Sequence, residues 1–277
     1  MTPETLDPSA STQRIAVPPS VIRAIRLRRE GRFDDAAAVV EAGLAEARAT
    51  PFEVPFRDRV LLALTLADLY VLSDRPARAR SLLVDERAFA ERIRELIEQS
   101  GSPDQIEAAS TGCAQLADRA TQLDLLAQPA PEIDVAEWVQ GPPTTLAALR
   151  GRVVLIEFWA RWCRPCVSIL PTLAELQERY GERGLTVLAL TRYGTAEDGG
   201  ADDRARERDL IGRLVADQCP HVTVAIAPDG RVQEMYGANR MPSIVLVDRA
   251  GNVQFASSIS DKAKLQKLVA DLIEETK

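Results

Sequence analysis

The sequence predicts an all-α region followed by an α/β domain with a mostly parallel central sheet. From about residue 20 to residue 127 the chain is rich in Ala, Leu and Arg, and its apolar residues recur at helical spacing. Beyond that point, short runs of β-branched residues alternate with helical stretches, as in strands that are joined by helices. Two prolines interrupt the helical pattern in the stretch 127–134, which we interpret as a linker. We therefore predict a disordered, Pro- and Ser-rich tail over 1–19, a helical domain over 20–127 and an α/β domain over 128–277.

The composition of the 277 residues argues against several classes of partner. A formal net charge of −7 disfavours nucleic acid and anionic membrane surfaces, because both bind basic proteins. No apolar run reaches the ~18 residues that a membrane-spanning helix needs. The N-terminus lacks the basic start and the apolar stretch of a secretory signal, so we expect a cytoplasmic location unless a leader has been removed.

Helical periodicity and one helix-start signal define the first half of the chain. Ser102 and Gln105 are spaced as the two members of a capping box that opens a helix. Part of the region resembles a tetratricopeptide repeat in the packing positions 66, 67, 70, 79 and 83, which implies a surface for a protein partner. A plain amphipathic bundle is the alternative. Two of the apolar stripes are Ala36, Val40, Leu44 and Ala47, and Leu62, Leu66, Ala67 and Tyr70.

Apolar runs predict the strands of the second half, and amphipathic stretches predict its helices. A run such as VVLIEF suits a strand that is buried on both faces. Turn sequences at 228–230 and 249–252 predict that the last strands form an antiparallel hairpin. The predicted strands are 153–159, 185–191, 222–226 and 243–248, and the predicted helices are 165–180, 202–218 and 261–275.

The sequence Cys-Arg-Pro-Cys follows the first predicted strand, which ends at Trp159. A helix that starts near Cys163 would put this cysteine at its N-terminus, where unpaired amides and the helix dipole stabilise a thiolate. Cys166 lies one turn further and more deeply, so it can resolve a mixed disulfide. Arg164 should favour the thiolate further, and Pro165 is tolerated in the first turn, where its missing N–H matters little.

The same cysteine spacing also occurs in zinc sites, which would need two further ligands. The candidates are Cys113, Cys219 and His221, and Cys219 and His221 do not have the spacing of a zinc knuckle. We therefore favour redox chemistry and predict no metal and no other cofactor. Cys113 is interpreted as a buried core residue, and Cys219 and His221 as core or surface residues.

Three blocks of sequence carry a family resemblance. They are PAPEID with TTLAALRGRVVLIEFWA, then EFWARWCRPC followed by Pro171, and MPSIVLVDRAGNV over 241–253. In these blocks the chain resembles the thioredoxin superfamily, and in particular its TlpA/ResA-like thiol–disulfide oxidoreductases, which are related to the AhpC/TSA group. The resemblance extends from about Pro131 to the C-terminus. It implies a thioredoxin-like α/β domain after the helical domain, protein disulfide substrates and an upstream dithiol reductant.

The resemblance also implies roles for individual residues. Cys163 is the expected nucleophile and Cys166 the resolving thiol, and together they form the redox-active disulfide. The Met241–Pro242 bond is expected to be cis, with Pro242 facing the cysteines and binding substrate backbone, although sequence alone also allows an ordinary proline at the start of a strand. The expected substrate-binding residues are Trp162, Arg164, Pro165, Met241 and Pro242.

Glu157 interrupts an otherwise apolar strand six residues before Cys163. Thioredoxins carry a buried acid at this position, whereas TlpA-like proteins often carry a neutral residue. A carboxyl group in a dry strand should have a raised pKa, and it could exchange a proton with Cys166 during resolution. The alternative is a carboxylate that reaches solvent at the end of the sheet.

Two other functions are open from the sequence. A peroxidase of the AhpC/TSA type would carry Thr or Ser three residues before the reactive cysteine, where this chain has Ala160. A redox-sensing adaptor would use the cysteine pair to switch binding of a partner by the helical domain. We expect a protein disulfide reductase, because the cytoplasm keeps thiols reduced.

Overall fold

A computed structural model of the protein describes residues 17–50, 53–194, 201–257 and 262–274. The chain divides into two compact units, Met1–Leu82 and Leu83–Lys277. The domain boundary expected at residues 127 and 128 stays a prediction. The expected tail falls mostly on residues 1–16, which lie outside the described residues.

The first unit is helical, as expected. Its helices are α1 (Pro19–Arg29), α2 (Phe33–Ala49) and α3 (Phe56–Leu72), and α2 packs against both neighbours. The stripes of α2 and α3 are buried at all eight positions, whereas in a further stripe predicted over 89–97 Leu96 is exposed. Tyr70 Oη donates a hydrogen bond of 2.7 Å to the Glu41 carboxylate, and Arg75 forms an ion pair of 2.7 Å with Asp34. The repeat character of these helices stays a prediction.

Two longer helices follow, α4 (Pro76–Ser100) and α5 (Pro103–Leu125), and each begins at a proline. Proline is favoured in a first turn because its missing N–H would have no helical partner there. The capping box is confirmed, since Gln105 N donates to Ser102 Oγ at 3.3 Å and Ser102 N donates to Gln105 Oε1 at 2.9 Å. None of the described helices is long and apolar enough to cross a membrane.

The second unit contains a mixed six-stranded sheet in the order β1-β4-β3-β2-β5-β6. The central pairs β2/β3 and β3/β4 are parallel, and the three other pairs are antiparallel. This arrangement confirms the predicted α/β domain. Its elements are β1 (Glu137–Gln140), β2 (Val153–Phe158), α6 (Arg164–Tyr180), β3 (Leu185–Arg192), α7 (Ala201–Gln218), β4 (Thr223–Ala227), α8 (Arg231–Met235), β5 (Ser243–Val247), β6 (Val253–Ser257) and α9 (Lys262–Glu274).

The strand β1 and the helix α8 were not predicted from the sequence. The strand β1 has only four residues, all half-buried, so it lacks the apolar run that identified the other strands. The turn at 228–230 leads into the short helix α8, whereas the turn at 249–252 joins β5 and β6 in the predicted hairpin.

The sheet separates two apolar cores, and β2 contributes to both through alternate residues. Val153, Leu155 and Trp159 belong to the core that also contains the buried apolar residues of α6 and the cysteines Cys163, Cys166 and Cys219. Val154, Ile156 and Phe158 belong to the other core. All six residues of β2 are buried, as the sequence predicted for a strand covered on both faces.

Candidate active site

The cysteine motif lies where β2 runs into α6. Cys163 is the N-cap of α6, and its Sγ accepts a hydrogen bond from the backbone N–H of Cys166 at 3.3 Å. The two cysteines form a disulfide, with their Cα atoms 5.3 Å apart. In the reduced protein, the same amide and the helix N-terminus would stabilise a thiolate on Cys163.

The two cysteines differ in their exposure to solvent. Cys163 is 6% exposed and Cys166 is fully buried beneath it. Trp162, just before Cys163, is 69% exposed and stands at the surface beside the disulfide. Attack from solvent is therefore possible at Cys163 and blocked at Cys166.

The segment around Pro242 lies next to this motif. The Met241–Pro242 peptide bond is cis, as the resemblance implied. Ser243, the next residue, pairs with Phe158 at the end of β2, so the register brings Pro242 to the start of the active-site loop. Met241 and Trp162 line the same cleft, which has a volume of about 300 Å³. The structure thus brings together two of the expected substrate-binding residues.

The rest of the cleft comes from residues that sequence reasoning missed. Arg192 is the last residue of β3, Tyr193 and Gly194 follow it, and Asp229 follows β4. Tyr193 Oη donates to Glu137 at 2.6 Å, and burial together with this bond raises the pKa of Tyr193 to about 12. The carboxyl ends of parallel strands meet at one edge of a sheet, and that rule could have pointed to these residues.

Arg164 and Pro165 occupy the first turn of α6. Both side chains are exposed. Neither is among the described residues that line the 300 Å³ cleft, so the cleft and the first turn of α6 are separate parts of the surface around the cysteines. A substrate-binding role for Arg164 and Pro165 stays a prediction.

Glu157 is fully buried in β2. Glu157 is two positions from both Leu155 and Trp159, so its side chain lies on the same face of the sheet, which carries the core of Cys166. Within the described parts of the chain, neither carboxylate oxygen has a hydrogen-bond partner. Desolvation by burial raises the pKa of Glu157 well above its ordinary value of 4.5. The solvent-facing alternative is wrong for this residue, because it is wholly buried.

Cys219, which the sequence analysis interpreted as a core or surface residue, lies near Glu157. It is a free, fully buried thiol in the same core as the disulfide. Burial, with a smaller contribution from the charge of Glu157, raises the pKa of Cys219 to about 12, which makes it a poor nucleophile. Cys113 is a free, buried thiol as well, as expected for a core residue. Across the described ranges, no cluster of three or more His, Cys, Asp or Glu residues could hold a metal.

The fold and the site together define a thioredoxin-like domain with a disulfide at the start of its first sheet-packed helix. The Redoxin family matches residues 126–272, which is more than half of the chain. The chain belongs to the Redoxin family. The resemblance to the thioredoxin superfamily and its ResA-like members is thereby confirmed.

Several known proteins are similar to the second half of the chain. The thiol-disulfide oxidoreductase ResA of Bacillus thuringiensis subsp. konkukian is 29% identical over 115 residues, which are 42% of this chain and 60% of that protein. The thioredoxin-like protein YneN of Bacillus subtilis is 26% identical over 148 residues, 52% of this chain and 79% of that protein. A solved thiol-disulfide isomerase from Corynebacterium glutamicum is 23% identical, covers 53% of this chain and 97% of its own, and has a TM-score of 0.45. The chain spans about 60% of the length of the ResA proteins that it matches.

Proposed function

We propose that the protein is a thiol–disulfide oxidoreductase that reduces disulfides of other proteins. The observation that carries the proposal is the Cys163–Cys166 pair at the N-terminus of α6, with one sulfur reachable and one buried beside it. Disulfide exchange needs this pairing, because one thiolate attacks and a second thiol resolves the product. The similarity to ResA proteins supports the same reaction.

The reaction has two exchange steps. In the first, the Cys163 thiolate attacks one sulfur of the substrate disulfide, the substrate S–S bond breaks, and the released substrate thiolate takes up a proton. In the second, Cys166 loses its proton and attacks Cys163 Sγ, which releases the second substrate thiol and forms the Cys163–Cys166 disulfide. The substrate gains two electrons and the pair loses two. An upstream dithiol then reduces the pair and completes the cycle.

Substrate binding is assigned to the surface around Cys163. Trp162 and Met241 line the cleft beside the disulfide, and Pro242 stands where the register brings it to the active-site loop. Arg164 and Pro165 extend the same surface on the exposed first turn of α6. An extended substrate segment would pass between Trp162 and Met241 with its disulfide at Cys163.

Glu157 is proposed to move the proton of Cys166 in the second step. Its side chain projects into the core that holds Cys166, and its raised pKa lets it change protonation nearer to neutral pH than an exposed carboxyl can. In its ionised form it can accept the proton as Cys166 attacks. In its neutral form it can return that proton when the pair is reduced again.

A second role is proposed for the helical unit. An apolar cleft of about 200 Å³ lies within it, lined by residues of α1 and α3 such as Val21, Ile25 and Leu69. An apolar cleft on exposed helices fits a protein segment, so this unit would bind a partner protein. A redox-sensing adaptor, in which the disulfide controls that binding, is the alternative function.

The reduction potential of the pair tests the direction of the reaction. We propose that this reductase works in the cytoplasm, so its potential should lie between about −270 and about −200 mV, the range of thioredoxin and glutaredoxins. The measurement is a titration of the full-length protein against glutathione buffers, with the disulfide followed by thiol alkylation. A value near −120 mV, typical of a strong oxidant, would contradict the proposal.

A further inference from the structure

The helix α5 lies outside the segment that matches the Redoxin family, yet it is bonded to the sheet. Arg119 Nη1 donates a hydrogen bond of 3.0 Å to the carbonyl oxygen of Ala256 in β6. Directly after the helix, Ala127 N donates to the carbonyl oxygen of Val253 at 2.8 Å. The helix and the sheet belong to one compact unit.

The carboxylate of Asp118, on α5, holds the loop that leads from α8 to β5. Its Oδ1 accepts a hydrogen bond of 2.8 Å from Asn239 Nδ2, and its Oδ2 accepts one of 3.2 Å from the backbone N–H of Arg240. Asp118 is only 6% exposed. Both oxygens of a buried carboxylate are therefore engaged by residues two and three positions before Pro242.

The start of the same loop is held by the Gln122 side chain on α5. Gln122 Nε2 donates to the carbonyl oxygen of Gly237 at 2.7 Å. Gly237 has a φ of +59°, and a Cβ at this position would lie 2.3 Å from the carbonyl oxygen of Asp118. Only glycine permits so close an approach in this conformation. At the other end, Ser243 Oγ donates to the carbonyl oxygen of Arg240 at 2.7 Å.

We propose that Asp118 is a positioning residue for the disulfide substrate, because it holds Asn239 and Arg240 and through them sets the backbone of Met241 and Pro242. The inference rests on the proposed function, and it assigns the support of the loop that carries Met241, a lining residue of the substrate cleft, to a helix outside the family segment. A loop that is held in place before binding loses less conformational freedom when a substrate docks on it. Asp118 should therefore affect how well a polypeptide disulfide binds and leave the reactivity of Cys163 unchanged.

The variant Asp118→Asn tests this in the full-length protein. It keeps the size of the side chain but removes the negative charge and replaces one of the two accepting oxygens with an NH2 group, which cannot accept a bond. The loss of a hydrogen bond to a buried charged group corresponds to about a tenfold change in an equilibrium constant. We expect KM for insulin, a polypeptide disulfide, to rise by about this factor. The rate with hydroxyethyl disulfide, which is too small to reach the loop, should stay the same.

Three further variants sharpen the test. Asp118→Asn combined with Asn239→Asp exchanges donor and acceptor, so KM for insulin should return towards that of the unchanged protein. Asn239→Ala removes one of the two bonds from an exposed side chain and should raise KM about threefold. Glu107→Gln, an exposed position on the same helix, should change neither rate.

The outcomes separate this inference from the proposed function. The positioning role is supported if Asp118→Asn raises KM for insulin, leaves the rate with hydroxyethyl disulfide unchanged, and is rescued in the double variant. Equal losses on both disulfides, or an unchanged KM, overturn it, and if Asp118→Asn does not fold, Asn239→Ala decides by the same comparison. If the unchanged protein reduces neither disulfide, the proposed function itself fails.

Discussion

Replacing Cys163 with Ser should abolish disulfide reduction, whereas replacing Cys166 with Ser should accumulate mixed disulfides that are attached through Cys163. The burial of the two sulfurs is the reason. Cys163 caps the helix and is partly reachable, while Cys166 is fully buried and can attack only a sulfur that Cys163 has already brought in. Non-reducing electrophoresis and mass spectrometry of the trapped species measure the attachment point.

Cys219→Ala provides the matched control for these variants. Cys219 is fully buried and its pKa is raised, so its removal should leave both trapping and turnover unchanged. Equal trapping by Cys163→Ser and Cys166→Ser would contradict the assignment of nucleophile and resolving thiol.

The variant Glu157→Gln should slow the resolution step while leaving the first attack by Cys163 nearly intact. A general base typically contributes a factor of ~10²–10⁴, and water that enters the core could replace part of it. Because Glu157 accepts a proton only when ionised, the resolution rate of the unchanged protein should rise with pH through the raised pKa of Glu157. The Gln variant should lose that rise. Rapid-mixing kinetics over neutral pH measure both steps.

The stability of the oxidised protein gives a second measurement on Glu157. Its native pKa is raised, so above the ordinary value of 4.5 the unfolded chain releases a proton that the native protein retains. The free energy of unfolding should therefore fall by about 1.4 kcal/mol per pH unit from that value up to the native pKa. Denaturant titration should show this loss in the unchanged protein and its absence in Glu157→Gln.

Glu175→Gln is the control for both measurements, because Glu175 is exposed on α6. It should behave like the unchanged protein in the pH dependence of resolution and of unfolding. If Glu157→Gln does not change the resolution rate across neutral pH, Glu157 is not the proton acceptor of this step.

The parts of the site that the sequence predicted are those with a local signature. The cysteine spacing marked Cys163 and Cys166, and an acid in an apolar run marked Glu157. The strand-rich second half and the β5–β6 hairpin followed from apolar runs and turn residues, which depend on neighbours in sequence. The cis bond at Met241–Pro242 came from the family resemblance, since a cis bond is a minority state at any single proline.

The parts that the sequence did not reveal depend on contacts between distant segments. Tyr193 and Asp229 meet in one cleft only because β3 and β4 are neighbours in the sheet. Asp118 is one polar residue among several on a helix, and its partner Asn239 lies 121 positions further along the chain. Neither the proximity of Tyr193 and Asp229 nor the contact between Asp118 and Asn239 can be predicted from the local pattern of apolar and polar residues.

Multiple turnover tests the central claim most directly. The full-length protein is mixed with a large molar excess of insulin, with dithiothreitol as the upstream dithiol, and released thiols are counted against the uncatalysed rate. The account predicts many equivalents of thiol per molecule of protein, with all catalysis lost in Cys163→Ser. A release of one equivalent followed by the uncatalysed rate would contradict an oxidoreductase and indicate a redox-sensing adaptor.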